Sequence, residues 1–341
     1  MFEHYTDFET LLEVCARRDL NLEGVPMYLG LGALENPVSF TPDATGVKLA
    51  DAAEALFAQF LARNPNPTVQ GLRLFVETLA QGLFSPGLGP APTPLDMPLP
   101  PAAEDASPLL LPKPFAASFA ELMMNFRRGS YLRVVNFHNT PRFNAAYYEA
   151  LLAWYAAHFS SATEADLGRL FTTGRWHKEK PPLLLSFFEG TRNHFDVVLP
   201  LLERYGLTGW FFIIPHFLEV PPTEQLAYAA AHDIGTVPDE YGGGERLTLS
   251  WDEVRELSRE HVVVSHTLTH TALTPSSPDA LMAREIGASK RVLEKQLGRE
   301  VKSFAWLLGA EHGLNERADA TLLDAGYTYL FSTFKLQKLR R

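Results

Sequence analysis

Two imidazoles four residues apart, His266 and His270, stand just after the apolar run Val262-Val263-Val264. At the end of a short strand, such a pair can close on one metal ion from the same side, and neutral imidazole suits zinc and its first-row neighbours. A third group, Glu189, follows a second apolar run over residues 183–188. One carboxylate and two imidazoles are the usual donor set of an open, catalytic zinc-type site. Each member also has a plainer reading. Glu189, followed by Gly190, suits a turn, and the two histidines could hydrogen-bond the backbone of a loop.

The elements that must position these residues follow from hydrophobic periodicity. From about Tyr131 onward the chain alternates strand-like and helix-like stretches. Strands are predicted over 132–137, 183–188, 209–214, 262–264, 303–307 and 327–332. Helices are predicted over 145–159, 195–205, 278–297 and, after Asn315, up to Gly326, with Gly206 and Gly298 closing two of them. Ser161 with Glu164 and Ser250 with Glu253 have the spacing of capping boxes. Repeated β-α units imply a parallel sheet or barrel whose site lies at the strand C-termini. Glu189, His266 and His270 all fall at such ends.

Upstream, residues 8–17, 49–62 and 69–84 carry apolar residues at three- and four-residue spacing, as helices do. Residues 1–84 therefore read as a small helical module. The stretch Met27 to Gly32 within it is too glycine-rich for a helix. Ten of the 25 prolines lie between Pro86 and Pro114, so residues 85–115 read as an extended linker ahead of a domain over 116–341.

Composition bounds the function. The 341 residues are 46% apolar and 21% charged, as in ordinary globular proteins, with a net charge of −10 that argues against nucleic-acid binding. A single cysteine, Cys15, excludes an intramolecular disulfide and a cysteine-rich zinc cluster. No apolar run is long enough for a membrane helix, and the N-terminus lacks a secretory signal. The chain as written reads as cytoplasmic, with export if the true start lies elsewhere.

Several segments in the same order resemble the polysaccharide deacetylases, the NodB-like carbohydrate esterases. Ser186-Phe187-Phe188-Glu189-Gly190 stands where that family has Thr-Phe-Asp-Asp-Gly. The stretch from Ser265 to His270 is similar to its histidine metal motif, with Leu273-Thr274 behind it. Ser303-Phe304-Ala305-Trp306-Leu307-Leu308-Gly309 corresponds to its Phe-Arg-Pro-Pro-Tyr-Gly segment. The resemblance covers roughly residues 131–333. It implies an α/β fold, a distorted (β/α) barrel, and a divalent metal, zinc by preference, held by Glu189, His266 and His270. It also implies hydrolysis of an N-acetyl or O-acetyl group on a carbohydrate substrate.

The departures are as specific as the matches. The family's general base is the first acid of its acidic pair, and Phe188 occupies that position here. Loss of a general base typically costs about 10²- to 10⁴-fold. His194 and Asp196, a helical turn or so away, are the substitutes at hand. The arginine that would orient the base is Ala305. Trp306, Leu307 and Leu308 replace two prolines and a tyrosine, although a backbone amide there could still serve an oxyanion. The family's terminal Leu-x-His segment is absent, and the basic tail from Lys335 to Arg341 implies a C-terminally shortened domain. His138 follows the first strand and either lines the site or is structural. Glu311-His312 is a further proton-transfer candidate. The aromatic run Trp210-Phe211-Phe212 reads as core. Two functions follow: a metal-dependent deacetylase, or a catalytically silent relative that binds a glycan or a protein.

Overall fold

The computed structural model describes residues 26–32, 131–173, 176–180, 182–237, 240–241, 244–307, 315–331 and 335–339. Helices expected within 8–17, 49–62 and 69–84, the proline-rich linker, and the Glu311-His312 pair lie outside the described residues. No described helix is long and apolar enough to cross a membrane.

The chain order is β1 (Pro26–Gly32), β2 (Tyr131–Phe137), α1 (Ala145–His158), β3 (Ser160–Ser161), α2 (Glu164–Thr173), β4 (Pro182–Phe187), α3 (Leu199–Tyr205), β5 (Gly209–Ile213), α4 (Pro215–Glu219) and α5 (Pro222–Ala231). It continues with α6 (Trp251–Leu257), β6 (Val262–Ser265), α7 (Asp279–Met282), α8 (Ser289–Leu297), β7 (Ser303–Ala305), α9 (Glu316–Ala325), β8 (Tyr329–Phe331) and β9 (Lys335–Lys338).

The strands form one mixed sheet in the order β2-β1-β9-β8-β7-β6-β5-β4-β3, and a further β2–β4 pairing closes it on itself. The result is a distorted (β/α) barrel. Strands β4 to β8 run parallel, while β9 is antiparallel to β8 and β1 is antiparallel to β2. The distortion concentrates between β6 and β7, which pair only through Ser265 and Phe304.

Alternation along the strands builds two apolar layers. Val134, Leu184, Trp210, Phe212, Val264, Phe331 and Leu336 face one cluster, into which α2 inserts Leu167, Leu170 and Phe171. Their neighbours Val135, Leu185, Phe211, Val263, Phe304 and Leu330 face the second cluster, with residues of α1, α3, α6, α8 and α9. Because both faces are covered, β4 and β5 are buried along their whole length, which explains their unbroken apolar runs. Trp210 is fully buried and donates from its indole nitrogen to the Ala162 carbonyl at 2.7 Å, so the aromatic run is core as expected.

Local signals hold with two corrections. Ser250 and Glu253 make the complete capping box, and the Asn315 side chain caps α9. Ser161, however, lies in β3 and accepts from the Thr208 amide; the cap of α2 is Thr163 paired reciprocally with Asp166. The helices expected over 195–205 and 278–297 each contain a π turn, at His194–Val198 and Ala283–Ala288. Within the basic tail, Lys335–Lys338 form β9, which pairs with β8 and with β1, so the glycine-rich stretch upstream supplies a barrel strand.

Candidate active site

The C-terminal ends of β4 and β6 bring the three expected donors together. Glu189, His266 and His270 are all buried. Glu189 Oε1 lies 4.0 Å from His270 Nε2, and the two imidazoles have ring centroids 5.1 Å apart. Their backbone is unusual. Among the described residues four non-glycines have positive φ, and three of them are Glu189 (72°), Thr267 (60°) and His270 (64°). Such conformations cost about 1–3 kcal/mol each and persist where the surroundings over-determine them. Gly190 continues the turn at φ 72°, and a Cβ there would come within 3.2 Å of Leu218.

Each histidine is oriented by a backbone carbonyl. His266 Nδ1 lies 3.2 Å from the Ala305 carbonyl, across the splayed β6–β7 seam. His270 Nδ1 lies 2.7 Å from the His232 carbonyl. A carbonyl only accepts, so each Nδ1 carries the proton and each Nε2 keeps its lone pair. This is the arrangement that orients metal-ligating histidines. The plainer reading of the sequence is thus also present, because the backbone bonds themselves aim the rings.

The carboxylate side differs. Glu189 Oε1 accepts from His138 Nδ1 at 3.2 Å, while Oε2 is buried without a hydrogen-bond partner. His138 therefore lines the site. Phe188 stacks on Phe212 at 4.2 Å and on His138 at 5.1 Å, and meets His266 edge-on at 5.4 Å. An aromatic wall stands at the position where the family resemblance would put an acid. As arranged, no three His, Cys, Asp or Glu side chains among the described residues converge closely enough to hold a metal ion. The donors nevertheless suit a divalent ion in kind: an orphaned buried carboxylate oxygen and two imidazoles aimed through their Nδ1 protons.

The two substitute bases lie elsewhere. His194 is fully buried between Phe187 and Phe211, with neither ring nitrogen hydrogen-bonded. Burial, with a smaller contribution from His138, pulls its pKa down to about 3. Asp196 Oδ2 is held by Arg142 at 2.5 Å, Arg192 at 3.2 Å and the Tyr241 hydroxyl at 3.3 Å. That network fastens the segment around Tyr241 to the start of α1. Of the possible oxyanion amides, Trp306 donates to the Phe331 carbonyl at 3.1 Å and is committed to the sheet.

Residues 176–330 match the family model for polysaccharide deacetylase. They belong to that family as a divergent member. Phe188, Glu189, His266 and His270 of the deacetylase domain fall within the match; His138, which touches Glu189, falls before it. Family and fold support carbohydrate deacetylase activity. No curated protein matches the chain. Among solved structures, the Streptococcus pyogenes deacetylase PplD in complex with acetate is 14% identical, with a TM-score of 0.45 over 61% of this chain and 91% of that one. A de-N-acetylase from Aggregatibacter actinomycetemcomitans is 18% identical, with a TM-score of 0.42 over 55% of this chain and 77% of that one. IcaB from Ammonifex degensii is 18% identical, with a TM-score of 0.40 over 61% and 85%.

One supporting residue escaped the sequence reading. Glu285 is completely buried and accepts from the amides of Leu268 and Thr269, inside the histidine loop. A glutamate on an amphipathic helix reads as surface, and only its contacts identify it.

Proposed function

We propose that the chain is a carbohydrate deacetylase that hydrolyses an acetyl group at the mouth of its barrel. The observation that carries this reading is the burial of Glu189, His266 and His270 at the ends of β4 and β6, with Glu189 4.0 Å from His270 and both imidazoles aimed by backbone carbonyls. In the reaction, water oxygen adds to the acetyl carbon, the C–N or C–O bond to the sugar breaks, and the released amine or hydroxyl takes a proton. Glu189, His266 and His270 would hold a divalent ion, zinc by donor type, and His138 competes with it for Glu189 Oε1. Such an ion, when bound, supplies Lewis acidity at the acetyl carbonyl.

The chain's own residues determine how well this runs. The stacked rings of the buried Phe212 and the partly buried Phe188 limit water on one side of the site, which strengthens the field around the acetyl group. Phe188 cannot accept a proton, so turnover is expected to be slow. The test is zinc content of the purified protein beside Glu189→Ala and His266→Ala, with acetate release from chitin oligomers and acetylated xylan. About one zinc per chain, lost in both variants, together with acetate release supports the reading. Zinc binding without acetate release favours a glycan- or protein-binding module, and no zinc at micromolar supply removes the metal site.

A further inference from the structure

We infer that Glu285 is a positioning residue that holds the loop of His266 and His270 in its strained, ligand-presenting conformation, an inference that deepens the reading above and rests on it. The loop contains two left-handed residues, Thr267 and His270, the first of them β-branched and therefore poorly suited to positive φ. Something must hold it there. One carboxylate oxygen of Glu285 accepts from the amides of Leu268 at 3.0 Å and Thr269 at 2.9 Å, and the other accepts from the Thr269 hydroxyl at 2.9 Å. Four residues further on, Ser289 donates to the Thr267 carbonyl at 3.0 Å, and its oxygen lies 2.6 Å from the Ser265 hydroxyl.

Glu285 lies within the π turn Ala283–Ala288, and Ser289 begins the α-helix that follows it. A π turn rotates the side chains that follow relative to an unbroken α-helix, and such turns recur at functional sites. Here the helix meets the loop through both polar groups, although its neighbours Met282 and Ile286 pack in the core. Arg284 also donates to Glu285 Oε1 at 3.0 Å, and a buried carboxylate accepting these four hydrogen bonds is costly to remove, because the amides it serves would be left unpaired.

The test compares Glu285→Gln and Ser289→Ala with Glu294→Gln. Glu294 sits on the same helical segment and accepts from the Val301 amide at 3.0 Å, so its variant reports a structural loss away from the loop. Amide hydrogen exchange at Leu268 and Thr269, thermal unfolding, and titration with zinc alone are measured on the full chain. Glu285→Gln is expected to speed exchange at those two amides by about ten-fold or more, and to weaken zinc binding by about 10- to 100-fold. Glu294→Gln is expected to leave both unchanged, even where the unfolding midpoints fall alike. Unchanged loop exchange in Glu285→Gln would overturn the inference. If the wild type binds no zinc but Glu285→Gln still loosens the loop, the positioning role stands and the metal reading alone fails.

Discussion

The two halves of the site are built to different standards. On the β6 side, every described contact of the histidine loop holds it in place: Glu285 on two amides, Ser289 on the Thr267 carbonyl, the His216 amide on Leu268 and the Tyr228 hydroxyl on Thr269. On the β4 side, Glu189 turns to His138, and its neighbour is the stacked ring of Phe188. The loop that carries both imidazoles is therefore preorganised. The proton chemistry is altered where oxygen donors were expected. Altered chemistry beside intact presentation is what a slow or specialised deacetylase would show.

The largest effect that could break this contrast comes from Phe188→Asp. It removes the stack on Phe212 and places a carboxylate beside Glu189. Phe188 is only partly buried, so its loss should cost less than the roughly 3–5 kcal/mol of a fully buried phenylalanine. If the β4 half lacks only its base, acetate release should rise by about 10²- to 10⁴-fold in the protein that remains folded. A folded variant that binds zinc and gains nothing would show that the β4 half has diverged beyond a single group.

A second effect of a few kcal/mol bears on the same half. His194 meets Phe187 and Phe211 edge-on, and His261 packs at a tilt against Phe211 while accepting from the Gly209 amide, so both support β4 and β5. Burial depresses His194 to about 3 and His261 to about 4, from an ordinary value of 6.5. Between those limits the unfolded chain binds protons that the folded chain refuses, so stability falls as pH drops. It is fully present above 6.5. Each imidazole should cost about 1.4 kcal/mol per pH unit below that, down to its folded value. Urea unfolding at pH 7 and pH 5 measures the slope, and His194→Leu should reduce it by about one proton. An unchanged slope in that variant would place the acid sensitivity elsewhere.

Much of this architecture is legible in the sequence because burial on both faces leaves unbroken apolar runs, as in Leu183-Leu184-Leu185 and Trp210-Phe211-Phe212-Ile213. The paired histidines and Glu189 are legible through spacing and position at strand ends. Other features are not. The Ser161–Glu164 pattern overlaps the true Thr163–Asp166 cap, and two residues of offset cannot be resolved without knowing where β3 ends. Strand β9 hides behind its lysines and the buried Gln337, with Leu336 its one apolar residue. Glu285 is invisible in principle, since its partners lie 16 and 17 residues away. Nor does any local pattern tell that Glu189 meets His138 from 51 residues upstream.

The smallest expected effect sharpens the contrast most directly. In the present arrangement His138 and a divalent ion would draw on the same oxygen, Glu189 Oε1, while Oε2 stands buried without a partner. If His138 is a competitor, His138→Ala releases the carboxylate toward His270, 4.0 Å away. A hydrogen bond of this kind is worth about 1 kcal/mol net, so zinc affinity should rise about five-fold. His138 is also part exposed, and its loss from the stack on Phe188 should cost little stability. Calorimetric titration with zinc decides the matter. A ten-fold loss of affinity instead would place His138 among the donors, and the β4 half would then be a rebuilt site with a third imidazole.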